Sequence, residues 1–281
     1  MSFLRNNISN SMLFKATKSI LSSNERFKGI HQGESCYIFG NGSSIKYYDL
    51  AKFNDRVSIG CGILFLHKDF KKLNMSYYYT GHPFFYYPFW RNNYSHLLEK
   101  NTLGSIYKSN IFEHRDIEYF VSLTNYLGLR GKNINYLYHY DKVFTIKEGS
   151  NLTGKYTFMD SALTGMLGIA VYMGFEDIIL VGCDHASTPK MSGHFYEYGK
   201  RKLNDKKFIY SEKPLLAINE CVNLRTVTIN DDFTGDIVNE IDYKTLMKQE
   251  LNYSENNEII ESSALIALDK TNMNYRIFSE K

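Results

Sequence analysis

Three short glycine-containing segments carry the residues best suited to bind an anionic ligand. Gly40-Asn41-Gly42-Ser43-Ser44 follows one apolar run, Cys61-Gly62 ends a second, and Gly182 to Asp184 follows a third. Glycine leaves backbone N–H groups open to a phosphate, and hydroxyl and amide side chains add further donors. The third glycine of a dinucleotide-binding fingerprint and the lysine of a P-loop are both missing, so neither of those sites is predicted. An ordinary tight turn is the alternative for each segment taken alone.

Two histidine-containing segments supply candidates for proton transfer. In Asp184-His185, the aspartate suits a ribose hydroxyl or a metal, and the histidine suits a base or a phosphate donor. Further on lies His194-Phe195-Tyr196-Glu197-Tyr198. An imidazole there would take a proton from an acceptor hydroxyl, and the phenols of Tyr196 and Tyr198 would stabilise a departing phosphate. The alternative for His194 is an ordinary residue of a surface loop.

Ser161 is a further candidate, because with Asp160 it forms the capping start of a helix that small and apolar residues predict over 160–173. A serine in this position caps the helix, and it also sets a hydroxyl and backbone amides where a sugar carboxylate or a phosphate would bind. A plain helix cap without a ligand is the alternative. Gly174 is expected to end the helix.

Short apolar runs bounded by glycine or polar residues predict the strands that position these segments. The predicted strands are 35–39, 56–62, 75–80, 177–181 and 225–229. A continuous apolar run such as 178–181 is typical of a central parallel strand that is covered on both faces. We therefore predict an α/β, Rossmann-like fold with a mainly parallel sheet. All three glycine segments would then lie at the carboxyl ends of strands, where open α/β sheets bind ligands.

The chain is predicted to have three parts. Residues 1–32 are expected to form a basic amphipathic helix, 33–235 an α/β domain that carries the predicted nucleotide site, and 236–281 a helical segment. Within the domain, 81–150 is expected to be an irregular insertion, with helices near 94–100 and 116–127 and strands at 133–138 and 143–146. Residues 186–210 are expected to be a lid over the site.

The N-terminal helix has three candidate roles. Its cations, Arg5, Lys15, Lys18, Arg26 and Lys28, face only one acidic residue, Glu25. Packing on the domain, contact with an anionic membrane surface and self-association all stay open from the sequence.

Composition excludes several other classes. The net charge of +3, from 33 basic and 30 acidic residues, is too balanced to indicate nucleic-acid binding. Four widely spaced cysteines without a CxxC pair indicate neither a zinc site nor a redox site. The sequence has no recognisable leader and no apolar run long enough for a membrane span, so we expect a cytoplasmic protein, with at most peripheral contact with the inner membrane face.

Two stretches resemble known families. Residues 33–45, with Phe39-Gly40-Asn41-Gly42-Ser43-Ser44, and residues 161–185, with Gly182-Cys183-Asp184-His185, are similar to parts of the MptE-like (motility accessory factor) superfamily of bacterial surface-polysaccharide proteins. They also resemble the family 42 sialyltransferases, whose first strand ends in a similar Gly-Asn-Gly loop.

The resemblance implies a variant Rossmann-like transferase fold and a CMP-activated nonulosonic acid as donor. It further implies inversion at the sugar, no essential metal, and a glycan or glycoprotein acceptor at the bacterial surface. By position, Asn41 and the 40–44 segment would bind the nucleotide phosphate, Ser161 would contact the donor, and His194 would be the base.

Three positions depart from the sialyltransferases. Ser43 replaces a proline, Gly62 stands where they have a nucleotide-binding asparagine, and Ala186 stands where they have a phosphate-binding tyrosine. The phenol that meets the leaving group would then come from Tyr196 or Tyr198, or the donor differs. Two other functions remain open: an MptE-like diphosphokinase that uses ATP and Mg²⁺, and a scaffold without catalysis.

Overall fold

A sheet of nine parallel strands forms the centre of the molecule in a computed structural model of the chain. The predicted α/β class with a mainly parallel sheet is therefore confirmed. In chain order the strands are β1 (Ser35–Phe39), β2 (Val57–Cys61), β3 (Met75–Thr80), β4 (Glu118–Ser122), β5 (Ile134–His139), β6 (Lys155–Tyr156), β7 (Asp177–Val181), β8 (Asn223–Thr228) and β9 (Asn239–Asp242). The structure describes residues 2–91, 98–140, 145–158, 161–188, 190–191, 193–197, 203–204, 213–230, 232, 234–235 and 237–269.

Strands β1 and β7 are parallel neighbours, and the side on which the chain adds its strands changes between them. Across the sheet the order is β9-β8-β7-β1-β2-β3-β4-β5-β6. The chain therefore builds one side of the sheet outward from β1 and then returns to build the other side outward from β7. Loops that leave neighbouring strands in opposite directions open a crevice at their carboxyl ends, which is where doubly wound sheets bind ligands.

Strands β1 and β7 are buried on both faces, as their apolar sequences require. Tyr37 and Phe39 of β1 point into one apolar cluster, and Cys36 and Ile38 point into a second cluster on the opposite face. Residues 178–181 of β7 are all 0% exposed. The crevice at the ends of these two strands therefore has a rigid floor.

Eight α-helices lie in the described residues. They are α1 (Ser2–Leu21), α2 (Thr102–Glu113), α3 (Ile146–Gly149), α4 (Ala162–Met173), α5 (Lys213–Asn219), α6 (Tyr243–Met247), α7 (Asn256–Ile259) and α8 (Ser262–Asp269). Short 3₁₀ turns occupy Ser22–Phe27, Ser43–Tyr47, Leu50–Lys52, Leu64–Leu66, Phe70–Lys72, Leu123–Asn125 and Asp184–Ala186. Three antiparallel ribbons pair Phe89–Arg91 with Leu98–Lys100, Ser187–Thr188 with Thr234–Gly235, and Lys190–Met191 with Leu203–Asn204.

Helix α4 fits its predicted bounds and capping. The Ser161 hydroxyl accepts a hydrogen bond from the Thr164 N–H at 3.1 Å, and Gly174 ends the helix with a φ of 89°. The Tyr156 hydroxyl donates to the Gly165 carbonyl, and a Cβ atom on Gly165 would overlap the Tyr79 ring. The small residues of α4 thus let it lie close against the sheet.

Residues 81–150 and 236–281 differ from their predictions. The helix predicted near 116–127 is wrong, because this segment contains strand β4. Strand β5 confirms the strand predicted at 133–138, and with β4 it gives this stretch two central strands rather than only an irregular insertion. The strand predicted at 143–146 falls partly outside the described residues, and Ile146 begins α3. The segment 236–281 is helical only in part, because β9 joins the edge of the sheet. The predicted helix near 94–100 falls largely on residues outside the described ranges.

Helix α1 docks on the sheet edge through its C-terminal half. The Phe14 ring packs on Tyr138 with centroids 5.3 Å apart. The Asn24 side chain, just beyond the helix, donates to the carbonyls of Tyr136 and Leu152, each at 2.9 Å. The outward residues Met12 and Leu13 are exposed. Within the described residues, no helix combines the length and apolar character that crossing a membrane requires.

Candidate active site

Two glycine segments meet where the strand order reverses. The Gly40 N–H donates to the Val181 carbonyl, and the Gly42 N–H donates to the Gly182 carbonyl, each at 2.8 Å. A Cβ atom on Gly40 would overlap the Gly182 carbonyl oxygen, and Gly182 has a φ of 67°. Only glycine permits this approach without displacement of the backbone. The two segments after β1 and β7 therefore form one continuous surface at the crevice.

Asn41 joins this surface to the segment after β2. Its Nδ2 donates to the Cys61 carbonyl at 2.9 Å, and its Oδ1 accepts from the Ile63 N–H at 3.0 Å. These bonds bracket Gly62, which has a φ of 64°. The Tyr78 hydroxyl donates to the same Cys61 carbonyl at 2.8 Å. The Asn41 side chain thus fixes the shape of the neighbouring loop.

Asp184 ties the segment after β7 to the segment after β1. Its Oδ2 accepts from the Ser44 N–H at 2.9 Å and from the Ser43 hydroxyl at 3.3 Å, and its Oδ1 accepts from the Ser44 hydroxyl at 2.5 Å. Burial raises the pKa of the Asp184 carboxyl, although these hydrogen bonds act in the opposite direction. Both oxygens are engaged within the protein, so the geometry makes Asp184 a brace between the two segments.

The His194 segment, residues 193–197, lies directly on the glycine segment 40–44. His194 and Gly42 form an antiparallel β-bridge, and the Phe195 N–H donates to the Asn41 carbonyl at 3.1 Å. Phe195 is 0% exposed and packs near His67, with ring centroids 5.9 Å apart. The buried phenylalanine therefore anchors the segment, and the bridge holds His194 against the crevice.

Glu197 orients the His194 ring. Its Oε1 lies 3.0 Å from His194 Nδ1, and its Oε2 accepts from the His194 N–H at 2.9 Å. Burial acts to raise the pKa of the Glu197 carboxyl, but the hydrogen bonds from His194 and the charges nearby outweigh burial, and the pKa is lowered. A carboxylate at Nδ1 favours the tautomer with its proton on Nδ1, which leaves the basic lone pair on Nε2.

Two further residues complete this arrangement. The Tyr196 ring stacks on the His194 ring, with centroids 5.0 Å apart and planes 12° apart. Lys46, which is only 5% exposed, donates through Nζ to the Glu197 carbonyl at 2.6 Å. The lysine thus fixes the end of the turn that carries the histidine and its carboxylate.

Most of the predicted site residues come together at this crevice. Those on the three glycine segments and in the His194 segment are Gly40, Asn41, Gly42, Ser43, Ser44, Cys61, Gly62, Asp184, His194 and Tyr196. His185 is an exposed residue beside Asp184. Burial raises the pKa of the Cys61 thiol to about 12, so this cysteine is not a nucleophile.

Ser161 and Tyr198 stand apart from this group. Ser161 lies at the same edge of the sheet, as the cap of α4, near the end of β3. Tyr198 lies outside the described residues. Glu197 and Lys46 were not predicted. The spacing of His194 and Glu197, three residues apart in one turn, was the available signal for Glu197, whereas nothing in the sequence singles out Lys46.

The arrangement suits a group transfer in which a hydroxyl group is the nucleophile and an anionic group leaves. The glycine segments lie at the strand ends, where open α/β sheets bind ligands. The space beside Gly40, Gly42 and Gly62 is taken by neighbouring protein atoms, so these glycines serve the close packing of the three segments. A carboxylate-oriented histidine is the usual form of a general base. Among the side chains that the structure describes, no group of three or more His, Cys, Asp or Glu residues is placed to hold a metal ion.

Comparison with known proteins gives distant structural likenesses only. No protein-family model matches the chain, and no curated protein matches it. The sialyltransferase CstII in complex with a trisaccharide acceptor and CMP is similar at 15% identity and a TM-score of 0.42, over 79% of this chain and 92% of that chain. A MAf glycosyltransferase from Magnetospirillum magneticum AMB-1 is similar at 13% identity and a TM-score of 0.43, over 92% of this chain and 42% of that chain. Likenesses at this level identify no activity, which must be argued from the residues.

Proposed function

We propose that the chain is a glycosyltransferase whose donor is a CMP-activated acid sugar of the sialic-acid-like, nonulosonic type. One observation carries the proposal: a carboxylate-oriented histidine is bridged through its backbone to the glycine segment at the point of strand reversal. In doubly wound sheets that point is where nucleotides bind. The resemblance of residues 33–45 and 161–185 to sialyltransferase segments supplies the donor class. The acceptor would be a hydroxyl group of a surface glycan or glycoprotein.

The proposed reaction is a single displacement with inversion. Nε2 of His194 takes the proton from the acceptor hydroxyl group. At the same time the acceptor oxygen forms a bond to the anomeric carbon of the donor sugar. The bond from that carbon to the phosphate oxygen breaks, and CMP leaves with the bonding electron pair. In the 40–44 segment the N–H groups of Gly40, Gly42 and Ser44 donate within the protein. The N–H groups of Asn41 and Ser43, together with the phenol of Tyr196, would stabilise the negative charge on CMP. Glu197 would stabilise the imidazolium that forms. This scheme needs no metal ion.

Ligand-dependent thermal stability tests the donor class. The full chain is melted with CMP, UDP, GDP or ATP, each with and without Mg²⁺. A ligand that binds only the folded state at a hundred times its Kd adds about 2.7 kcal/mol of stability. We expect CMP alone to raise Tm. A rise with ATP and Mg²⁺ only would instead favour the diphosphokinase, and no rise with any nucleotide would favour the scaffold.

Variants of the His194 segment complete this test. With CMP-linked sialic acid as donor and lactose as acceptor, we expect His194→Ala to lower kcat by about 10²–10⁴-fold, because a positioned base contributes that much. Its stabilisation by CMP should be nearly unchanged. Glu197→Gln should lower kcat less, since an amide oxygen still accepts from Nδ1 without stabilising the imidazolium. Full activity of His194→Ala would show that the base is another residue.

A further inference from the structure

An aromatic loop follows β3 at the carboxyl ends of the strands, which is the end of the sheet that carries the candidate site. We define the aromatic loop as residues 81–89, Gly-His-Pro-Phe-Phe-Tyr-Tyr-Pro-Phe, a stretch without Asp, Glu, Lys or Arg. Strand β3 is parallel to β1 and separated from it only by β2. Since neighbouring strands lie about 4.8 Å apart, the loop begins about 10 Å from the end of β1. An acceptor of two or three sugars that reaches the crevice would span this distance.

The aromatic side chains of this loop divide into an anchored pair and a displayed set. Phe85 and Tyr86 are 0% and 1% exposed, whereas Phe84 and Phe89 are 58% and 61% exposed. The rings of Phe84 and Tyr87 are neighbours, with centroids 6.2 Å apart. The two buried rings therefore anchor a loop that exposes Phe84 and Phe89, while Tyr87 is half-buried.

Hydrogen bonds to the segment after β4 hold the loop backbone in place. The Phe84 N–H donates to the Thr124 hydroxyl, and the Tyr86 N–H donates to Asn125 Oδ1, each at 3.0 Å. Asn125 Nδ2 in turn donates to the His82 carbonyl at 2.9 Å. A surface held in this way loses little conformational entropy when it binds a ligand.

The backbone of Phe84 is strained. Its φ of 55° lies in the left-handed region, which bulky residues other than glycine rarely adopt. Side-chain packing offsets little of this strain, because Phe84 is 58% exposed, and the hydrogen bond from its N–H to Thr124 holds the backbone instead. Strain that survives beside an exposed apolar side chain is a common mark of a binding surface. Glycine would be the residue expected here if only the turn mattered.

We propose that the aromatic loop is the surface on which the uncharged sugar rings of the acceptor pack, with Phe84 at its centre. This inference rests on the proposed function, because it assigns the acceptor of that reaction. The face of an aromatic ring is electronegative, and C–H groups on the face of a sugar ring complement it. The loop offers a charged sugar no Asp, Glu, Lys or Arg with which to form an ion pair, and Lys100 of the adjoining ribbon pairs with Phe89 rather than with Phe84. The acceptor would therefore present neutral pyranose units next to the reacting hydroxyl.

Saturation-transfer NMR on the full chain tests this surface directly. The probes are lactose and methyl β-glucoside, with sodium glucuronate as the charged comparison. We expect Phe84→Ala to lower the signal of the neutral probes about fivefold, as the loss of one aromatic contact implies. The matched control is Phe112→Ala, which removes a phenylalanine of similar exposure, 52%, from the last turn of α2. The next residue, Glu113, forms a hydrogen bond with Lys71 ahead of β3, so this turn lies at the amino ends of the strands. The control should leave the signals unchanged.

Phe84→Gly separates binding from folding. Glycine adopts a φ of 55° without strain, so this variant should melt no lower than the native chain while it loses the saccharide signal. A native-like Tm together with lost binding assigns the ring to the ligand. Unchanged neutral-sugar signals in Phe84→Ala and Phe84→Gly would overturn the proposal.

The outcomes keep this inference distinct from the proposed function. If CMP fails to stabilise the chain but the neutral sugars depend on Phe84, the nucleotide assignment fails and the sugar surface stands. If CMP binds but glucuronate and lactose respond equally to Phe84→Ala, selection for neutral sugars is overturned. If sedimentation shows a dimer that Phe84→Ala dissociates, with no change in the saccharide signals, the loop is a surface for self-association and the proposal is overturned.

Discussion

Asp184 illustrates how a polar residue in a site can serve the protein rather than the ligand. From the sequence, its position after a central strand suited contact with a ribose hydroxyl or a metal. In the structure, three hydrogen bonds from Ser43 and Ser44 occupy its two carboxylate oxygens, and the side chain is buried. A buried carboxylate is stable only with such partners. Its geometry therefore assigns it to holding two loops together, and its contact with a nucleotide stays a prediction.

Substitutions of Asp184 distinguish a brace from a ligand. Asp184→Asn keeps an oxygen for the Ser44 N–H and adds an amide that can donate to the Ser44 hydroxyl. We expect this variant to fold and to bind CMP within a few fold of the native affinity. Asp184→Ala leaves the buried Ser44 N–H without a partner, which costs about 1–3 kcal/mol. Urea denaturation and CMP titration of both variants provide the measurement.

The asparagine variant decides between the two roles. If Asp184 binds a metal or a ribose through its charge, Asp184→Asn should lose ligand binding while its stability is close to native. If Asp184 is a brace, Asp184→Asn should keep binding, and Asp184→Ala should lose stability and binding together.

At the scale of elements, the site depends on how closely β1 and β7 approach after their last residues. A Cβ atom on Gly40 would meet the backbone carbonyl of Gly182, which no side-chain rotation can relieve. We expect Gly40→Ala to destabilise the chain by about 1–3 kcal/mol, as other overpacked sites do. It should also weaken CMP binding, because the two loops would separate. Thermal melting with and without CMP measures both effects.

Gly33→Ala is the matched control for this prediction. Gly33 precedes β1 at the opposite end of the sheet, has a φ of 80°, and has no atom within 4 Å of an added Cβ. Gly33→Ala should lower the free energy of unfolding by about 1 kcal/mol, because alanine is strained at a positive φ. Its response to CMP should be native. Equal losses of CMP binding in the two variants would mean that the Gly40 contact has no special part in the site.

The strands of the site were predictable, whereas β4 was not. Residues 35–39 and 177–181 are short, mainly apolar runs that end at glycine, and their length and flanking glycine favour a buried parallel strand. In the segment of β4, Ile117, Phe120 and Val121 repeat at helical spacing. Yet residues 119–122 are all buried, because β4 has neighbours on both sides and is covered on both faces. Periodicity cannot separate a helix from a strand that is buried all round.

At the scale of the whole molecule, the sequence singled out segments that meet in the structure, but it did not predict how they join. The glycine segments, Asp184 and His194 stand out by residue type and position. Ser44 and Asp184, in contrast, are 140 residues apart, and their contact depends on the return of the chain from β6 to β7 beside β1. Lys46 was missed for a related reason. A lysine is expected at the surface, and only the folded chain brings it under the Glu197 carbonyl.

The return of the chain also encloses His67, and this burial predicts how the stability of the molecule depends on pH. His67 is 3% exposed and packs near Phe195 beneath the His194 segment. Its Nδ1 accepts from the Asp69 N–H at 3.1 Å, so the neutral ring carries its proton on Nε2. Within the described part of the chain, Nε2 is buried without a hydrogen-bond partner. Burial, with a smaller contribution from Lys68, lowers the pKa of His67 to about 4, although Asp69 opposes the shift.

We therefore expect the free energy of unfolding to fall as the pH decreases. An unfolded histidine binds its proton near pH 6.5, whereas folded His67 stays neutral down to about pH 4. The stabilisation is thus complete above about pH 6.5 and is lost progressively as the pH falls to about 4, by about 3 kcal/mol. Urea denaturation across this range measures it. His67→Asn keeps an acceptor for the Asp69 N–H but does not titrate, so it should be less stable at neutral pH and lose about 3 kcal/mol less on acidification. Parallel pH profiles for the two proteins would contradict this assignment and place the acid sensitivity in other groups.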